Sequence, residues 1–74
     1  SITIYPNPST GSFTITGLPV DEQIQIINSM GQTVKKASIR TQATMNFTLD
    51  ERGVYLVRTI TDKEIVTKKI IVCK

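Results

Sequence analysis

In Leu49-Asp50-Glu51-Arg52-Gly53-Val54-Tyr55-Leu56-Val57-Arg58-Thr59-Ile60 a turn feeds a strand. Asp50 can bond its own neighbouring backbone and Gly53 supplies a permissive backbone, so residues 50–53 read as the turn. The run after it is β-branched and aromatic with no helical stripe, which predicts a strand over 54–60. Side chains alternate along a strand, so Tyr55, Val57 and Thr59 share one face and Val54, Leu56 and Arg58 the other. A tyrosine just inside such a strand predicts a corner, with the ring inward and the hydroxyl bonded back to the preceding turn. Val54 and Leu56 are then left as an outer apolar patch for a neighbouring strand, an attached domain or a partner.

The same alternation continues on both sides of this stretch. Ile2-Thr3-Ile4-Tyr5, Ser12-Phe13-Thr14-Ile15-Thr16 and Asn46-Phe47-Thr48-Leu49 alternate polar with apolar residues, the period-2 pattern of half-buried strands. Ile24, Ile26 and Ile27 are apolar on both faces and suit a central strand. Turn clusters fall between the runs at Asn7-Pro8-Ser9-Thr10-Gly11, Gly17-Leu18-Pro19, Ser29-Met30-Gly31 and Thr61-Asp62-Lys63. Seven strands are predicted, at about 2–5, 12–16, 22–28, 32–38, 44–49, 54–60 and 64–72, with helix essentially absent. That pattern specifies an all-β fold, a seven-strand antiparallel immunoglobulin-like β-sandwich forming one domain over residues 1–74. A partly open barrel is the alternative closure. Parity sends Phe13 with Ile15, Ile24 with Ile26, Phe47 with Leu49, and Ile70 with Val72 into the interior.

Composition narrows the function classes. A chain of 74 residues hides only about 60% of its surface on folding, a marginal core. It has no His and one Cys, so Cys73 has no partner within the chain, and Zn sites, Ser-His-Asp and Cys-His catalysts lack their parts. Asp21, Glu22, Asp50, Glu51, Asp62 and Glu64 are scattered through turns without the spacing of a calcium loop. The expectation is a non-enzyme with no cofactor and no metal. Cys73 is expected to serve as a small apolar filler.

The net charge of +3 is mild. Lys35-Lys36 and Lys68-Lys69 sit inside predicted strands, so each pair splits between the two faces and suits the protection of sheet edges. Nucleic-acid binding would need aromatics among the basic residues, and Tyr5, Phe13, Phe47 and Tyr55 are assigned to the core. Free sheet edges and the outer patch lead to the expectation of a weak homodimer at high concentration.

Tyr5-Pro6-Asn7-Pro8 is the most distinctive local feature. Two prolines remove two backbone donors and fix φ, so the first strand must stop there. Pro8 holds Asn7 in an extended conformation, from which its side chain is expected to bond the Ser9 amide. The segment reads either as a stiff surface turn or as a rigid recognition knob.

Four blocks occur in order: Tyr5-Pro6-Asn7-Pro8-x-x-Gly11-x-Phe13, Ile26-Ile27-Asn28-x-x-Gly31-Gln32-x-Val34, Leu49-x-x-x-Gly53-Val54-Tyr55, and Lys68-Lys69-Ile70-Ile71-Val72. Together they resemble the type A C-terminal sorting domain of cargo proteins of the type IX (Por) secretion system of certain diderm bacteria. The resemblance spans essentially the whole chain and implies a folded address label without catalytic chemistry. It implies a precursor that folds in the periplasm and is read by the outer-membrane translocon and its shuttle proteins. A surface sortase then removes the label, and the N-terminally fused cargo is released or attached at the cell surface.

On that resemblance Tyr5, Gly11, Gly31, Gly53 and Tyr55 are motif positions with structural roles. Pro6, Asn7, Pro8, Lys69 and Lys74 are the expected contacts for translocon or sortase. The chain begins at Ser1 and reads as a fragment of a longer secreted precursor, with the cleavage site at or before Ser1. The competing function is a fibronectin-like carbohydrate-binding or spacer module. Sugar platforms need exposed rings, and the chain has no Trp and four aromatics in all.

Overall fold

A computed structural model of the protein describes residues 2–18, 22–39, 44–61 and 63–73. Its strands are β1 (Thr3–Tyr5), β2 (Ser12–Thr16), β3 (Glu22–Ile27), β4 (Thr33–Ile39), β5 (Met45–Thr48), β6 (Gly53–Ile60) and β7 (Ile65–Val72). Every expected strand is present, and no boundary moves by more than one residue. No helix occurs among the described residues. The strands form a three-stranded sheet, β1-β2-β5, and a four-stranded sheet, β4-β3-β6-β7, all paired antiparallel. The fourth strand pairs with the third before the chain crosses to the smaller sheet, as in an immunoglobulin-like sandwich.

The core is the set of inward positions that parity selects. Phe13, Ile15, Ile24, Ile26, Leu49, Tyr55, Val57, Ile70 and Val72 are all buried in one cluster. Phe47 is only half-buried, with its ring stacked on Phe13 at 5.9 Å. Leu18 joins the core from the Gly17–Leu18 turn, a contribution that strand parity gave no reason to expect. Thr59 is buried among apolar groups, and its hydroxyl donates to the Val66 carbonyl at 3.3 Å, so no polar atom there goes unpaired.

Tyr5 corrects the expectation that all four aromatics enter the core: it is 51% exposed. The register pairs Ile4 with Ile15, whose side chain is fully buried, so Ile4 points inward and its neighbour Tyr5 must point out. Ile2 and Ile4 fill that side instead.

The corner at β6 forms as expected. The Tyr55 hydroxyl donates to the Glu51 carbonyl at 2.7 Å, tying the strand to the turn that feeds it. Gly53 begins the strand at φ +149°, a conformation side-chain-bearing residues rarely adopt. Tyr55→Phe keeps the ring and loses one bond, so it should cost about 0.5–1.5 kcal/mol. A thermal melt followed by circular dichroism should then fall by about 4–8 °C for each kcal/mol lost.

β4 and β7 are the two edges of the larger sheet. Lys36 lies opposite Gln25 and Lys69 opposite Leu56 on the outer face, while Lys35 lies opposite Ile26 and Lys68 opposite Val57 on the core side. All four are exposed, because three strands do not cover both edges of four. Charge on the core side of an edge disfavours pairing with another sheet.

Candidate recognition site at the first turn and last strand

The prolines end β1, and the Tyr5–Pro6 and Asn7–Pro8 peptide bonds are both cis. The chain then leaves the smaller sheet and lies along the free edge of β7 in the larger one. Ser9 makes a parallel bridge with Val72. Its amide donates to the Ile71 carbonyl at 2.8 Å, and its carbonyl accepts from the Cys73 amide at 2.7 Å.

The Asn7 side chain extends this ladder. Its Nδ2 donates to the Lys69 carbonyl at 2.9 Å, and its Oδ1 accepts from the Ile71 amide at 3.1 Å. One carboxamide thus stands in for a peptide unit, offering a donor and an acceptor to a strand edge. This corrects the expected bond from Asn7 to the Ser9 amide. That amide is already taken by Ile71, and the edge of β7 offers Asn7 two partners instead of one.

Ser9 is the node beneath the turn. It is buried; its hydroxyl donates to the Ser12 carbonyl at 3.0 Å and accepts from the Gly11 amide at 2.9 Å. The Gly11 carbonyl in turn accepts from the Leu49 amide at 2.8 Å. Gly11 is buried and adopts φ 126°, a backbone conformation that favours glycine.

These bonds gather the expected contact residues. Pro6, Asn7, Pro8 and Lys69 are all exposed, and the Asn7–Lys69 bond puts them in one patch. Lys74 lies outside the described residues, next to Cys73, whose amide Ser9 holds. Cys73 is itself exposed rather than a filler, since β7 ends at Val72 and the following residue passes beyond the core.

Gly31, expected as a structural motif position, lies in a turn. It adopts φ +85° in the β3–β4 turn, where the Asn28 Oδ1 accepts from the amides of Met30 at 3.0 Å and Gln32 at 2.9 Å. Ser9 and Asn28 were absent from the expected site residues. Asn28 carries a local signal, an Asn followed by Ser-Met-Gly. Ser9 bonds Gly11 and Ser12 locally through its hydroxyl, a short-range turn signal, whereas its backbone bonds to Ile71 and Cys73 leave no trace in the local sequence. Among the described residues no cluster of three or more His, Cys, Asp or Glu side chains comes together.

Comparisons place this geometry. The family model described as the secretion system C-terminal sorting domain matches residues 3–73. No curated protein matches the chain. Among solved structures, it is similar to part of PorZ, described as an essential bacterial surface component of the type IX secretion system of Porphyromonas gingivalis. The TM-score is 0.87 at 18% identity, over 100% of this chain and 12% of that one. At that identity the likeness establishes the sandwich fold. With the four sequence blocks, the fold and the family match all in register, the chain belongs to the family of secretion system C-terminal sorting domains.

Proposed function

We propose that the domain is a non-catalytic address label that sends an N-terminally fused cargo through the type IX outer-membrane translocon, after which a surface sortase removes it. The family match over residues 3–73 carries this reading. The cargo passes through the periplasm and ends at the outer membrane, on the cell surface or in the medium. Shuttle proteins and translocon read a folded surface, so the label needs stability and shape rather than reacting groups.

The patch of Pro6, Pro8 and Lys69 is the contact, with Asn7 and Ser9 holding it against β7. Lys74 belongs to the same contact on the family resemblance. Asn7 is therefore a positioning residue, since its carboxamide is committed to Lys69 and Ile71. The sugar-binding alternative is disfavoured, because Tyr5 is the one ring exposed by more than half.

The test is Lys69→Ala combined with Lys74→Ala in a precursor carrying a reporter cargo. Lys69 is exposed, and truncating it should cost less than about 0.5 kcal/mol. The doubly substituted domain should melt like the parent while the reporter accumulates in the periplasm by cell fractionation. Surface delivery at the parental level with an unchanged melt would remove both lysines from the contact.

A further inference from the structure

The outer face of the four-stranded sheet shares only Lys69 with the sorting contact, and the rest of it has a composition that contact does not use. β6 turns Val54, Leu56, Arg58 and Ile60 outward, and β7 turns Ile65, Thr67, Lys69 and Ile71 outward beside them. Val54 is 46% exposed, Leu56 38% and Ile65 61%. A sheet face that leaves this much aliphatic surface in water is the kind of patch that marks an interaction site.

Among the described side chains of this face the charges are all of one sign. Lys36, Gln25 and Arg58 form one cross-strand row, and Lys69 flanks Leu56 in the next. Residues 23–27, 33–38, 53–60 and 65–72 contain no Asp or Glu. The strands of the other sheet carry no charge of either sign, so every strand cation lies on this sheet. A groove lined by Gln25, Ile27, Thr33, Val54, Leu56 and Arg58 lies at the β3–β4 turn end of the face. Arg58 is half-exposed at its margin.

We propose that this face docks a protein partner that presents carboxylates set among aliphatic side chains. Charge complementarity selects that chemistry: aliphatics would fill the groove while carboxylates meet Arg58, Lys36 and Lys69. A second copy is disfavoured, because a two-fold pairing of this face sets the three cations against their own kind. Nucleic acid is disfavoured because the face has no aromatic ring to stack a base. A membrane is disfavoured by the same lack, since Trp and Tyr anchor proteins at the interface. The inference goes beyond the sorting role and does not depend on which machinery reads Lys69 and Lys74.

The test is amide chemical-shift titration of the isotope-labelled 74-residue chain. The probes are a short peptide alternating valine with glutamate, the same peptide with lysine for glutamate, and phosphatidylglycerol vesicles. The glutamate peptide should shift the amides of Leu56, Arg58 and Lys69, more weakly as ionic strength rises. Arg58→Gln should weaken binding by about tenfold, the loss of one charge-assisted contact. Lys36→Gln, on an exposed edge position, should weaken it in the same direction with no change in melting. Equal response to both peptides, shifts confined to the β4 edge, saturation by vesicles, self-association, or no shift at millimolar peptide would each overturn the proposal.

Discussion

Ile70→Ala is expected to leave the isolated domain largely unfolded at physiological temperature. Ile70 is 0% exposed and lies opposite Tyr55, so its side chain fills the centre of the sandwich. Truncation there costs about 2–5 kcal/mol, because the lost methylenes leave a cavity that the sheets cannot close. A core of this size supplies only about 3–5 kcal/mol in all. Ile71→Ala is the matched control. Ile71 is next along the strand but faces outward against Val54, and its loss should cost well under half as much. Urea titration of the two variants checks the register of β7 directly. A larger loss from Ile71 than from Ile70 would mean that the strand is rotated by one residue.

Ser9→Ala should be the next most damaging change, although it removes a single oxygen. The hydroxyl is buried and serves two backbone groups, the Gly11 amide and the Ser12 carbonyl. Alanine leaves the buried Gly11 amide without its partner, at a cost of about 1–3 kcal/mol. Asn7→Ala breaks as many bonds but at an exposed position where water replaces them, so it should cost only about 0.5–1.5 kcal/mol. Hydrogen exchange separates the two effects. Ser9→Ala should speed exchange of the Gly11 amide, which the hydroxyl holds at 2.9 Å, and Asn7→Ala should speed that of Ile71. Unchanged protection at Gly11 in Ser9→Ala would refute the assigned role.

What the sequence discloses depends on how far apart the interacting residues lie. The Tyr55 corner is legible because the tyrosine and its acceptor, Glu51, are four residues apart and parity fixes the ring's direction. The inward set of β2, β3, β6 and β7 is legible for the same reason. Tyr5 misleads because an aromatic after Ile4 invites burial, although alternation from Ile2 and Ile4 already sends it outward. The Asn7 bridges are invisible in the sequence: their partners lie 62 and 64 residues away. A local rule therefore finds only the Ser9 amide. Exposure of Pro6, Asn7, Pro8 and Lys69 is readable from turn and parity, whereas their convergence on one patch requires the parallel bridge of Ser9 with Val72.

That bridge has a temporal meaning. Residues 7–9 are among the first of the domain to leave the ribosome, and their partners, residues 69–73, are the last. A product that stops short of Ile70 lacks both that core side chain and the strand edge that Asn7 and Ser9 occupy. Such a chain cannot close, however well its earlier strands pair. Closure of the fold therefore certifies that synthesis has run through the last strand.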